Sequence, residues 1–426
     1  MILERSERTE DEIIFREAVK AILEIMKRLG EIRVYSILVP KIDLAKRFWH
    51  LESETKITYP RIPELENEVA KLEPVRKCVS LMLKRDFPKH LEMIITDKDG
   101  KPVENPDYEP FLIAEILTLT YRYIELYGPE FNEEKFKELF NEMMEYVYSP
   151  TRDLVLVSPL ENFELENIDE FTVDEYKVRR LTEWEIKALI RYGYRFGIIS
   201  TPEYGRLDTI YCVESIIKTS KVITPSFHHY IEDFVTVLRL FKPGIVGFNA
   251  ILHYPKIWRT SWGASFSHRY QFRQYPKYVF STGDVQPFTQ LWRKYSKLRN
   301  QLPKNIKFSL RWFNKAYEER EMLDKLLDLE IALEVLFGTS NRYRLDLYVP
   351  HFIGSNKEER LKINKDIRDL WEKRSSIVHS GYSEVTPEFV SRIENIYRLS
   401  MQKFLELLPK RSYEDIIEDI KVSILE

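Results

Sequence analysis

Two cysteines in 426 residues, Cys78 and Cys212, are too few and too far apart for a disulfide framework or a thiolate zinc site. Charge of one sign is also missing. Sixty-five Lys and Arg stand against 68 Asp and Glu, a net of −3, which excludes a global polycation for nucleic acid and a polyanion that mimics it. No uninterrupted apolar run of membrane-spanning length occurs, and the opening MILERSERTEDE has no apolar signal core, so the expectation is a cytoplasmic protein without a membrane partner. With 44% hydrophobic residues the chain has enough apolar content for two or three globular domains.

Charge is uneven along the chain. Residues 1–250 carry 35 basic and 45 acidic residues, and residues 301–426 carry 21 and 22. Between them, residues 251–300 hold nine basic residues and one acid, Asp284. Twelve aromatics share that stretch: Tyr254, Trp258, Trp262, Phe266, Tyr270, Phe272, Tyr275, Tyr278, Phe280, Phe288, Trp292 and Tyr295. Cations that track phosphates, beside rings on which bases stack, are what single-strand binding requires. Arg259, Arg269, Arg273, Lys277, Arg293, Lys294 and Lys297 are therefore candidate nucleic-acid contacts. The alternative is that the rings are core and the cations a solvated face, or one paired with the acidic N-terminal half.

Texture divides the chain three ways. Residues 1–150 are mostly helical, with Ile13, Ile14, Ala18, Ile22 and Ile25 at helical spacing, and with short strands such as Met93–Thr96 before Asp97-Lys98-Asp99-Gly100. That Asp-x-Asp-Gly lacks the further oxygen ligands of a calcium loop. Residues 151–300 are α+β, with strands expected at 154–157, 198–201, 210–213 and 266–273, and a helix at 183–192. Residues 301–426 are all-α. Helices are expected at 306–319, 325–337 before Gly338, 358–380 before Gly381, and from Thr386-Pro387 to Pro409. The fold class is therefore α+β multidomain, a mixed N-terminal region followed by a C-terminal helical bundle. Histidines 228, 229, 253 and 268 have no carboxylates or thiols at ligand spacing, so neither a metal nor a cofactor is expected.

One arginine is out of place. On the 358–380 helix the apolar stripe Ile363, Ile367, Leu370 and Trp371 continues to Arg374 and then Val378. A cation there needs an acid, a second copy or an open cleft, and Glu334 on the preceding helix is the candidate acid. His379 follows five residues later, in the last helical turn. A spacing of five rotates the helix by about 500°, leaving the two side chains roughly 140° apart. They converge only if the helix ends near His379 or if two copies meet. With 32 Arg and 8 His, chance supplies a pair at this spacing readily, and Arg85-x4-His90 is a second one in an unpatterned stretch.

The surroundings decide between them. Asp324 to Gly338 (DKLLDLEIALEVLFG), then Arg342-Tyr343-Arg344-Leu345, then Arg374-Ser375-Ser376-Ile377-Val378-His379 with Gly381, together resemble the Apea-like branch of the HEPN superfamily. Leu310-Arg311-Trp312-Phe313 is similar to that family's first helix, and Arg179-Arg180-Leu181-Thr182 before Glu183-Trp184-Glu185 is similar to a segment found ahead of the domain. The likeness covers about residues 305–410. It implies a dimerising helical domain and, in active members, a metal-independent endoribonuclease. Carried over, Arg374 holds the scissile phosphate and His379 moves the 2′-hydroxyl or leaving-group proton, leaving a 2′,3′-cyclic phosphate. Many active members have Asn directly after the Arg, where this chain has Ser375, still able to donate to a phosphate. Pro350 interrupts a stretch that family members often keep helical. The expected partners are RNA, a second copy of the chain, and a protein or ligand trigger for the N-terminal region of a defence or stress effector. The competing reading is a non-catalytic RNA-binding or dimerisation scaffold in which Arg374 is a structural ion pair.

Overall fold

A computed structural model describes residues 5–29, 34–57, 67–90, 103–104, 106–128, 130–149, 151–191, 204–207, 209–219, 227–257, 263–266, 277–319 and 321–425. The expected strands at 93–96, 198–201 and, beyond Phe266, 267–273 lie outside these residues.

Helices among the described residues of the first region include α1 (Arg5–Leu29), α2 (Glu73–Lys84), the short α3 (Phe87–His90), α4 (Glu109–Tyr127) and α5 (Glu133–Tyr148). Asn132 caps α5 by accepting from the Lys135 N–H, and Phe136, Leu139, Phe140, Met143, Met144 and Val147 form its buried face. That face packs with Ile14, Ile22, Val75, Val79 and Leu112 into a core of its own, which Ile257 of the middle region meets at its edge. Strands β1 (Val34–Asp43) and β2 (Phe48–Ile57) make an antiparallel hairpin within this first region, and β7 (Tyr204–Arg206) pairs with β2.

The middle of the chain is β-rich. Strands β3 (Arg152–Pro159), β5 (Phe171–Val173), β6 (Tyr176–Arg180), β8 (Tyr211–Thr219), β9 (Ala250–Pro255) and β10 (Gly263–Phe266) form one antiparallel sheet in the order β10-β9-β3-β8-β6-β5. Leu154 to Val157 of β3 are all buried, so this central strand is covered on both faces and reads as a continuous apolar run. Helix α6 (Glu183–Arg191) follows β6, and α7 (His228–Phe241) and α8 (Val285–Leu298) also belong to this region. The short β4 (Phe163–Glu166) and β11 (Tyr278–Ser281) pair in parallel.

Six helices complete the chain: α9 (Lys304–Ala316), α10 (Met322–Leu336), α11 (Arg342–Ile353), α12 (Lys357–Ser380), α13 (Pro387–Leu407) and α14 (Tyr413–Leu425). Four of these match the expected helices to within a few residues. Helix α11 is a correction, because Pro350 sits inside it. Proline leaves the carbonyl four residues back without its N–H donor. That carbonyl, Asp346 O, accepts instead from Asn364 Nδ2 at 2.6 Å. Helix α14 opens with a reciprocal cap between Ser412 and Asp415. Gly338 ends α10 at φ 61°, and a Cβ there would meet the Tyr413 hydroxyl at 2.8 Å, so only glycine fits.

The change of texture near residue 300 is not a break in the core. One continuous set of buried residues runs from Leu154 through Phe234 and Trp292 to Leu333, Tyr397 and Ile420. Polar groups cross the same junction. Arg239 of α7 donates to Asn314 Oδ1 of α9 at 2.9 Å, and Asn314 Nδ2 donates to Thr236 Oγ1 at 2.7 Å. Arg398 of α13 donates through Nε to Arg239 O at 2.7 Å, and through Nη2 to Tyr317 Oη and Glu394 Oε2, both at 2.9 Å. Glu394 also pairs with Lys325 of α10 at 2.6 Å. Arg239, Lys325, Glu394 and Arg398 are all buried. Glu394→Ala would leave Lys325 and Arg398 buried without their carboxylate, which typically costs about 3–5 kcal/mol. Denaturant unfolding should register a loss of that order, and a loss below about 1 kcal/mol would show that the pair is not a structural lock.

Candidate active site

Helix α12 sets the site. Asn356 caps it by accepting from the Glu359 N–H, and Gly381 stops it at φ 72° with its N–H on Ile377 O at 2.9 Å. Ile367 and Leu370 are buried, and Ile363, Trp371 and Ile377 pack against the core from its edge. Val378, expected on this stripe, is 56% exposed, and Ile377 continues the stripe in its place. Three residues from Arg374 is one of the two helical neighbour spacings, and here it is the one that turns inward.

Arg374 lies at the boundary, its side chain 39% exposed. Its Nε pairs with Glu330 Oε2 of α10 at 3.2 Å, and its guanidinium carbon is 5.4 Å from the centre of the Trp371 ring. The expected acid was Glu334, and the geometry corrects this: Glu330, one turn earlier, makes the contact. Residues four apart share a helix face, so Glu334 acts on the same guanidinium at longer range. The two terminal amino groups of Arg374 have no acceptor among the described residues.

Glu330 is almost wholly buried at 2% exposure, and its Oε1 has no hydrogen-bond partner among the described residues. Burial pushes its carboxyl up to about 8; Arg374 opposes that shift and the neighbouring Glu334 adds to it. Burial likewise raises Glu334, against the pull of Arg374.

His379 is exposed in the last turn of α12, and Ser375 is exposed beside Arg374. The helix is unbroken from Lys357 to Ser380, so the rotation of about 140° between Arg374 and His379 stands, and one chain does not aim them at a common point. Val378 and Tyr382, 56% and 68% exposed, flank the histidine as uncovered apolar surface.

The basic aromatic segment does not form a stacking surface among the described residues. Tyr254, Tyr278, Phe280, Phe288, Trp292 and Tyr295 are buried in the core, where Phe280 stacks on Phe171 at 4.4 Å and Trp292 meets Tyr176 edge-on at 4.9 Å. Arg293 pairs with Asp174 at 3.3 Å and Lys294 with Glu406 at 2.8 Å, while Lys277 and Lys297 are exposed. Arg259, Arg269 and Arg273 lie outside the described residues. Alternation and composition show that one face of a strand is apolar, but not whether that face is covered.

The Arg179–Glu185 segment is a structural corner. Arg179 pairs with Glu185 at 2.7 Å and with Glu214 at 2.5 Å. Glu185, 1% exposed, also accepts from the Thr182 N–H and the Tyr254 hydroxyl. No charged group is left over there for chemistry. Among the described residues no three His, Cys, Asp or Glu side chains come together as a metal site, and no helix is long and apolar enough to cross a membrane.

The raised carboxyl of Glu330 carries a pH signature. Its ordinary value is 4.5, and in the folded chain it is about 8, so the folded form binds more protons between those limits and loses stability as pH rises through them. Glu330→Gln has no charge to bury. Its melting temperature relative to wild type should therefore rise from pH 5.5 to pH 9, and a difference that stays constant or shrinks would contradict the burial of this charge. Comparisons with family models, with curated proteins and with solved structures find no match to this chain, and the chemistry of the site rests on the geometry above.

Proposed function

We propose that the chain is a metal-independent endoribonuclease of HEPN type that works as a homodimer through its C-terminal helical region. One observation carries the reading: an arginine whose terminal amino groups have no acceptor among the described residues and a histidine in the last turn occupy one unbroken helix, about 140° apart. A single chain thus supplies an unmatched anion holder and an unmatched proton carrier. Two copies meeting along this helix, over Val378 and Tyr382, supply each with its complement.

In that arrangement the Arg374 amino groups hold the scissile phosphate and stabilise the charge that builds on it. Ser375, exposed next to Arg374, is a further donor. His379 of the other copy takes the 2′-hydroxyl proton, or returns a proton to the leaving 5′-oxygen. The 2′-oxygen displaces that leaving group and a 2′,3′-cyclic phosphate remains. DNA lacks the nucleophile. The acidic N-terminal half, with its own helical core, is then the sensing or recruiting part of a defence or stress effector.

A second reading has a specific observation behind it. The Arg374–Glu330 ion pair is what a purely structural arginine would make, and on that reading the bundle is an RNA-binding or dimerisation scaffold. The two differ in stability as well as activity. The carboxyl of Glu330, pushed up to about 8 by burial, takes a proton at pH 7 when its partner is removed, so Arg374→Ala should melt within a few degrees of wild type at that pH. A large drop favours the scaffold.

The direct test is cleavage of end-labelled single-stranded RNA in EDTA by wild type, by His379→Ala, and with a 2′-deoxy substrate. Cleavage that survives chelation, leaves cyclic-phosphate ends and falls at least about 100-fold in both controls is the expected result. Equal cleavage by His379→Ala would remove the mechanism. Salt-sensitive RNA binding without cleavage would leave the scaffold.

A further inference from the structure

The contacts of Arg374 leave an imbalance. Two carboxyls on one face of α10, Glu330 and Glu334, address one guanidinium, and the more buried of them has an oxygen, Oε1, with no donor. Among the described residues no other cation acts on either acid. The helices packed on α10 are α9, α12 and α13. From α12 comes Arg374 itself. On α9, Lys315 is paired with Asp328, and on α13, Glu394 is paired with Lys325 and Arg398. Among the described residues Glu330 and Glu334 are therefore balanced by Arg374 alone, and the outer amino groups of Arg374 are open to an anion.

We propose that Glu330 is a positioning residue for Arg374 that yields the guanidinium to an RNA phosphate by taking up a proton. This rests on the reading of Arg374 as the phosphate holder. With both carboxyls ionised, a phosphate on the outer amino groups would place a third negative charge around a single cation that water reaches from one side only. The cheapest relief is a proton on the carboxyl with least access to water. Protonated Glu330 no longer competes for the charge, yet its carbonyl oxygen still accepts from Nε, so the arginine keeps its direction while its field is released to the ligand. The raised carboxyl of Glu330 fits this role, since near pH 7 most copies already hold the proton and near pH 8 the rest take it from solution at small cost.

The test separates the proposal from the reading beneath it. All proteins carry His379→Ala, which blocks cleavage and removes the imidazole titration, and the probe is a fluorescent single-stranded RNA with 2′-O-methyl groups, read by anisotropy at fixed salt. Binding should weaken about tenfold from pH 7 to pH 9, one proton being linked to each phosphate held. Adding Glu330→Gln, a permanent mimic of the protonated acid, should abolish that slope and hold the affinity at its pH 7 level. A merely structural Glu330 predicts the opposite, weaker binding at every pH with the slope retained, and that result overturns the proposal. A second measurement needs no change at Glu330: calorimetry of the His379→Ala protein at pH 8, in two buffers of different ionisation enthalpy, should show uptake of about half a proton per chain on binding. No uptake also overturns it. If Arg374→Ala binds as well as its parent, or if nothing binds, then the phosphate-holding reading itself fails and the proposal falls with it.

Discussion

Glu394 is the carboxylate on which the arrangement of the C-terminal half depends. It is buried on α13 and meets Lys325 of α10 on one side and Arg398 of its own helix on the other. Arg398 in turn bonds the carbonyl of Arg239, whose guanidinium reaches α9 through Asn314. Two buried cations share one acid here, and the Tyr317 ring lies against Lys325 at 4.9 Å and against Arg239 at 4.6 Å. Apolar contact would hold these helices together in many registers; hydrogen bonds of fixed direction admit few. The β-rich middle and the helical end therefore behave as one core despite their different textures.

How legible this was depends on whether the deciding contact is local. The ends of α10, α12 and α13 were readable because Gly338, Gly381 and Thr386-Pro387 act within one turn of themselves. Helix α11 was not, because the group that makes Pro350 tolerable there is Asn364, on the next helix. The same distinction governs the aromatics of residues 251–300. Their number and their alternation with cations suit a stacking surface and a β-core equally well, and what separates the two is the cover supplied by Phe171, Tyr176 and Phe234, far away in sequence.

The candidate site divides along the same line. That Arg374 interrupts an apolar stripe and requires a partner is visible in the sequence, because helical period fixes which way it faces. Which acid answers it is not. Glu330 and Glu334 are four residues apart on one face, and choosing between them takes the axial offset of α10 against α12, a property of the packed pair of helices. The failure of Arg374 and His379 to converge was foreseeable from their spacing, and the open question was whether the helix would break before His379. Gly381, in the left-handed conformation only after Ser380, keeps it whole.

Helix α10 joins the buried ion pairs to the candidate site. Lys325 fixes it to Glu394, and Glu330, five residues on, meets Arg374. The depth at which Glu330 lies, and hence how strongly its charge is disfavoured, is thereby set by a lock that belongs to the junction with the β-rich region. Repacking that junction would slide or tilt α10, and a carboxyl brought nearer to water would lose the preference for its proton. The solvation of one buried acid is thus tied to the packing of the β-rich region by a helix held at both places by ion pairs.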